Sequence, residues 1–457
     1  MQNASAAKDA CYVWGEKEFG QAQLKDRRLV KRLVKIVAAC AARPTASLPR
    51  ACEDWAQTKA AYRFFAHPQI ASAALLQPHQ DQTRRRCQHQ PVVLVVQDTT
   101  ALTYGPRAGL GLVGSGPEGA QGLWLHSSMA FSTEGQPLGL VEVECWQRDP
   151  AEFGKAARRH ERPQQEKESQ RWLNSVKACA QWAQNSGPTR WVNVADREAD
   201  FYRLFAAAAA AHPQVGLLVR ARHNRQTTEG LRLDETLERT KVAGEVDLMV
   251  PRRPGRPAHL VRLEVRMSPV CIQAPPRGGG EPLNLWVVAA RQRTGSGERI
   301  EWRLLTNLPV EDLATAVEMI GWYRVRWQVE EYHRVLKSGC QTESRQLETA
   351  DRLKKVLMVD MVVAWRVLAL SRAGRDEHQK LREHFTSEEI EVLSRYAQAD
   401  QKPNKELTLR EAVRKVARMG GFLGRKADGE PGAMTLWRGL EMLHQLVLGW
   451  RLAKDCG

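Results

Sequence analysis

Three acids in this chain are spaced for metal-assisted phosphoryl transfer. Asp98 follows the apolar run Pro91-Val-Val-Leu-Val-Val96 after one glutamine, and Asp196 directly follows Arg190-Trp-Val-Asn-Val-Ala195. Short continuous apolar runs read as strands buried on both faces, and the carboxyl edge of such strands is where open α/β sheets bind ligands. The third acid, Glu330, stands in Tyr323-Arg-Val-Arg-Trp-Gln-Val-Glu-Glu-Tyr-His-Arg-Val-Leu-Lys337. From Tyr323, residues Arg326, Glu330 and Lys337 lie at offsets of three, seven and fourteen, which at about 100° per residue fall within roughly 60° on a helix. Arg334, Trp327 and Tyr323 share this region with the acid, and large rings are not what a purely solvated face needs. Phosphoryl transfer at two divalent cations about 4 Å apart requires carboxylates converging from separate elements. Oxygen ligands with no Cys/His cluster nearby point to Mg²⁺ or Mn²⁺ over zinc. Each acid also has a plainer reading, as a turn cap after a strand or as one half of an i,i+4 salt pair on a solvated helix.

The elements that must carry these groups belong to a long, basic chain. At 457 residues it exceeds one ordinary core, so two or three domains are expected. Lys and Arg number 68 against 52 acids, giving a net charge of +16, which favours a polyanionic partner such as nucleic acid. Nine cysteines are scattered singly without a Cys-x-x-Cys pair, the pattern of reduced intracellular thiols. No signal-peptide layout or membrane-length apolar run is evident, so a soluble, cytoplasmic protein with no membrane partner is expected.

Residues 1–70 read as helical. In Leu24–Ala42 a stripe of Leu29, Leu33, Ile36 and Val37 is set against a basic one of Arg28, Arg32 and Lys35, so one face would pack while the other lies along phosphates or simply meets water. Tyr62 and Arg63, in Ala61-Tyr-Arg-Phe-Phe65, add an aromatic to the basic field. From about 214 to 306 the periodicity changes to two, most plainly in Val261-Arg-Leu-Glu-Val-Arg-Met267, which predicts an antiparallel β block with turns at Pro251–Pro257 and Pro275–Gly280. The last third is helical, with capping boxes at Thr386–Glu389 and Thr408–Glu411 and a break at Gly420-Gly421.

Several of these motifs, in this order, resemble the DDE transposases of the cut-and-paste insertion-sequence kind, the IS-four superfamily with its Tn-five-like members. The resemblance is carried by Ala61-Tyr-Arg-Phe64, Asp98-Thr-Thr100, Trp124-Leu-His-Ser127, Asp196-Arg-Glu-Ala-Asp200, Trp302-Arg-Leu-Leu-Thr306, the Tyr323–Arg326–Glu330–Lys337 pattern and Gly420-Gly-Phe422. It implies an α/β, RNase H-like catalytic core at 71–379 with an antiparallel β insertion at about 214–306. A helical DNA-binding domain at 1–70 and a helical dimerisation domain at 380–457 would flank it. It implies a metal triad of Asp98, Asp196 and Glu330 holding two Mg²⁺, with Mn²⁺ as substitute. Phosphate would be held by Tyr323, Arg326, Arg334, Lys337, Arg220 and Arg222, and a flipped base would stack on Trp302 and Trp327. End contacts from the N-terminal domain would fall to Arg28, Arg32, Lys35, Tyr62 and Arg63. The implied partners are transposon-end duplex DNA, target DNA and a second copy in a synaptic homodimer. The implied reactions are strand cleavage, hairpin formation and resolution, and strand transfer. Asn224 stands where the family has proline. A nuclease of the same core without strand transfer, and a non-catalytic DNA-binding relative, share much of this pattern.

Overall fold

The computed structural model describes residues 10–456 apart from 53, 108, 114–119, 149–166, 251–257, 277–278, 294–298, 376–378, 397–405 and 426–427. The turn expected at Pro251–Pro257 lies outside the described residues, as does part of that at Pro275–Gly280. Five helices open the chain: α1 (Ala10–Phe19), α2 (Arg27–Ala42), α3 (Leu48–Ala51), α4 (Trp55–Ala66) and α5 (Ser72–Cys87). Asp26 starts α2 by accepting from the Arg28 amide at 2.8 Å, and Asp54 does the same for α4 from the Gln57 amide at 2.7 Å, each satisfying an orphan donor of the first turn. The apolar stripe of α2 is buried at Leu33, Val34, Ile36 and Val37.

The sheet follows as β1 (Val92–Tyr104), β2 (Gly111–Leu112), β3 (Gln121–Phe131), β4 (Pro137–Trp146), then α6 (Gln170–Ala183), β5 (Arg190–Ala195), α7 (Tyr202–Ala209) and β6 (Val215–Arg220). Strand β3 pairs antiparallel with β1 and β4, while β5 and β6 run parallel to β1. The central order β4-β3-β1-β5-β6 is that of an RNase H-like core. After α8 (Leu233–Arg239) come β7 (Gly244–Val250), β8 (His259–Ile272), β9 (Leu283–Gln292) and β10 (Glu301–Thr306), which extend the same sheet antiparallel from β6 in the order β10-β9-β8-β7. Val215–Arg220, read from sequence as the start of the antiparallel block, is therefore the last parallel strand of the core. Its partner β5 fixes its direction, which period-two patterning cannot report.

Strand β1 is also longer than its apolar run. Parallel pairing with β5 stops at Val96, but the antiparallel ladder to β3 continues to Tyr104, so Asp98 lies within a strand and not at its end. One face of the sheet, through Val93, Val95, Trp191 and Leu217, packs on α6 and α7. The other, through Leu94, Val96, Leu102 and Val192, packs on the helices from both ends of the chain.

Those later helices are α9 (Leu313–Val325), α10 (Trp327–Arg334), α11 (Ala350–Ala373), α12 (Ser387–Arg395), α13 (Leu409–Met419) and α14 (Ala433–Cys456). Both expected capping boxes are present, on α12 and α13. The Tyr323–Lys337 stretch is not one regular helix. At Arg326 the bonding tightens, with the Arg326 amide donating to the Tyr323 carbonyl and the Val329 amide to Arg326; after Arg334 it widens into a π turn at Val335–Gly339. Behind it, Arg345 makes a buried two-pronged pair with Asp360 of α11 at 2.7 and 3.0 Å. Its other donors reach the carbonyls of Ala46 and Cys340, tying the α2–α3 connection to the π turn. Among the described residues no helix is long and apolar enough to cross a membrane.

Candidate active site

The parallel ladder between β1 and β5 sets the geometry. Its last pair is Val96 with Val194, so Asp98 and Asp196, each two residues further on, stand side by side just past the end of the parallel pairing, Asp98 within β1 and Asp196 in the loop after β5. Asp98 accepts the Thr99 amide at 2.9 Å. Asp196 accepts the Glu198 amide at 2.9 Å, capping the single 3₁₀ turn Arg197–Ala199. Glu330 comes in on α10, which packs over β1.

Burial first, and then the Asp196 charge, push the Asp98 carboxyl up to about 7; Glu330 adds to the rise, while Arg326 and the Thr99 amide oppose it. Asp98 therefore sits beside like charge that Arg326 offsets only in part. The acids do not close into a cage: among the described residues no three His, Cys, Asp or Glu side chains are grouped to hold a metal ion. Glu330 is instead turned onto the Arg326 guanidinium, one helical turn earlier. Crowded, oxygen-only donors with an elevated carboxyl fit a hard divalent cation, which would discharge them.

The cationic and aromatic groups divide. Tyr323 is buried with its ring edge-on to Trp302, centroids 5.1 Å apart, and burial raises its phenol above the usual range. Trp302 is thus packed against the helix that carries Tyr323, as a partly buried aromatic on β10. Arg220 ends β6 and donates to the Glu301 carbonyl at 3.0 Å; its Nε is buried without a hydrogen-bond partner among the described residues. Lys337 sits half-buried on the π turn, whereas Arg334 is exposed and Trp327 is 43% exposed. Arg222 is exposed at the rim of a cavity of about 380 Å³ that Arg197 and Arg203 also line. The next arginine of that stretch, Arg225, is held by buried Asp200 at 2.5 Å.

The N-terminal set lies on other elements. Lys35 and Arg63 are exposed and Arg32 and Tyr62 are half-buried, while Arg28 is exposed but paired with Asp26 at 2.8 Å.

Two residues of the site were not singled out from sequence. His333 of α10 is buried, with Nδ1 3.7 Å from Asp98 Oδ2 and Nε2 3.2 Å from Ser127 Oγ; its position three after Glu330 on a helix was the available signal. Asp200 accepts the Arg222 and His223 amides at 2.7 Å each, so it shapes the loop after β6. A buried acid five residues into a strand-end segment has no local signature.

Comparison with known families gives three matches in chain order. The model described as Transposase DNA-binding matches residues 12–70. That described as Transposase DDE domain matches 146–365, and Transposase Tn5 dimerisation domain matches 362–457. Among solved structures, a piggyBac transposase synaptic complex with hairpin DNA aligns at a TM-score of 0.39 and 10% identity, over 97% of this chain and 78% of that one, too distant a likeness to assign anything here.

Proposed function

With a chain whose three matched segments fit a Tn5-like DDE transposase as the premise, we propose that it performs cut-and-paste transposition with Asp98, Asp196 and Glu330 as its catalytic acids. A DNA-binding, dimerising enzyme that cleaves and transfers DNA strands, dependent on divalent metal, is what the family provides. The residue roles, the choice of Mg²⁺ and the reaction course are our reading.

In this reading the three acids hold two Mg²⁺, or Mn²⁺ in their place. When bound, the pair of cations supplies Lewis-acid stabilisation to the attacking and leaving oxygens of an in-line displacement at phosphorus. Glu330 must first be released by Arg326, and a phosphodiester entering between them is the natural competitor for the guanidinium. Arg326, Tyr323 and Lys337 then fix the scissile phosphate, with Arg220, Arg222 and Arg334 along the neighbouring backbone. Trp302 and Trp327 offer faces for a base turned out of the stack, where stacking offsets about 1–3 kcal/mol of the unstacking. One site serves four steps because each is the same displacement: nicking by water, attack of the freed 3′ hydroxyl to form a hairpin, its reopening, and transfer into target DNA. The enzyme acts as a homodimer in which each site cuts the end bound mainly by the partner copy. The observation that supports this reading most is the β1–β5 register, which sets Asp98 beside Asp196 under the helix that carries Glu330.

The test is incubation of the protein with labelled DNA carrying its own element's ends and Mg²⁺. Hairpin and joined products are expected. Cleavage without joining would reduce the protein to a nuclease, and binding without cleavage to a non-catalytic relative.

A further inference from the structure

We infer that Thr99 and His126 are positioning residues for the Asp98 carboxylate, anchored through a buried hydrogen-bond chain to the strand that delivers Asp196. The inference rests on the reading of Asp98 as a metal ligand. Thr99 has two functions at once. Its amide donates to Asp98 Oδ1 at 2.9 Å, and its hydroxyl lies 2.8 Å from His126 Nδ1. Neighbouring residues of a strand project to opposite faces, so the carboxylate points to the α10 side while the hydroxyl is gripped on the α6 side.

His126 stands directly opposite Thr99 on β3. Its Nε2 is 3.3 Å from Gln97 Oε1, because the Gln97 amide nitrogen is donating to Asn193 Oδ1 at 3.0 Å. A glutamine carbonyl oxygen only accepts, so Nε2 carries the proton and Nδ1 receives the Thr99 hydroxyl. The ring is 1% exposed and packed edge-on against Trp172, 4.6 Å between centroids. Asn193, three residues before Asp196, also accepts from Ser175 Oγ at 3.3 Å and Cys179 Sγ at 3.4 Å on α6. The chain from Asp98 through Thr99, His126 and Gln97 to Asn193 thus crosses from β3 to β5 beneath the two aspartates.

The plainer reading is a set of buried polar groups that merely satisfy one another. Against it, an apolar side chain at His126 would serve a core as well without desolvating an imidazole, and the Thr99 amide joins the chain directly to the Asp98 carboxylate. Fully satisfied networks of this kind fix one geometry.

The experiment titrates the full-length protein with Mn²⁺, read by electron paramagnetic resonance, with calorimetric melting as the check on folding. Thr99→Val keeps the shape and removes the hydroxyl, and His126→Leu removes both ring nitrogens; each is expected to weaken Mn²⁺ binding about 10-fold. Thr99→Ser and His126→Asn, which restore the donor or leave an acceptor at the Nδ1 position, are expected to recover most of it. Wild-type affinity in Thr99→Val and His126→Leu, with binding lost in Asp98→Asn, would overturn the inference while leaving Asp98 as a ligand. Wild-type affinity in Asp98→Asn would overturn the ligand reading, and this inference with it. Should His126→Leu fail to fold, the contrast between Thr99→Val and Thr99→Ser decides alone.

Discussion

Asp360 and Asp98 are both acids largely enclosed by the fold, yet the protein treats them in opposite ways. Asp360 is fully buried and fully answered, by both prongs of Arg345 and the Thr342 hydroxyl. Asp98 meets Asp196 and Glu330 on one side and Arg326, an imidazole at 3.7 Å and its own neighbour's amide on the other, and its carboxyl still rises to about 7. Charge that holds helices together is paired to completion, whereas charge around Asp98 is only partly met. The first is architecture, and the second is capacity reserved for something that arrives later.

The contrast can be broken most decisively at Glu330. Glu330→Ala is expected to lower metal-dependent strand cleavage by about 10³ or more while a gel shift on end DNA changes less than about twofold; equal loss of both would make Glu330 structural. Next, Arg345→Leu leaves Asp360 buried without its counter-charge, so denaturant melts should show a loss of about 3–5 kcal/mol, largely restored by adding Asp360→Leu. A loss below about 1 kcal/mol would erase the difference between the two regions.

Asp98→Asn should act in the opposite sense on stability. Because the folded carboxyl lies near 7, above its ordinary 3.8, its contribution to wild-type stability is full below about pH 4 and is lost as pH rises through 7. The variant should therefore melt no differently from wild type at pH 4 and higher at pH 8, by up to about 4 kcal/mol. Metal should remove that penalty. At about 100 times its dissociation constant Mn²⁺ is expected to stabilise wild type by about 2.7 kcal/mol, and Asp98→Asn not at all, as melting with and without chelator would show. The smallest effect belongs to the basic helices: Lys35→Gln should reduce the log–log salt slope of end binding by about 1, and an unchanged slope would take α2 away from the phosphates.

Much of the site's scaffold was legible because local rules write it. The two apolar runs place Asp98 and Asp196, the capping boxes at Thr386 and Thr408 start their helices, and period two marks the strands of β8. What was not legible depends on distant partners. Strand β1 runs on to Tyr104 because β3 pairs with it, and Val215–Arg220 runs parallel because β5 does. The Glu330–Arg326 pair was foreseeable from i,i+4 spacing, but whether salt pair or ligand prevails depends on what occupies the site. His126 and Asn193 sit in apolar strands, where a polar residue is visible in sequence but its partner is not.

A π turn differs from an α turn by roughly one residue, which makes the stretch Val335–Gly339 sensitive to chain length more than to chemistry. Gly339 lies so close to Trp437 of α14 that a Cβ there would fall 2.8 Å from the indole ring, so the turn has no slack on that side. Deleting one residue within it would let the turn close in ordinary α geometry with the phase kept on either side, whereas inserting one would rotate everything beyond by about 100°, carrying Arg345 off Asp360. Substitution at exposed Ser338 changes no such phase. Among natural variants of this chain, replacements should therefore be found at 338, and single-residue insertions between 335 and 339 should not.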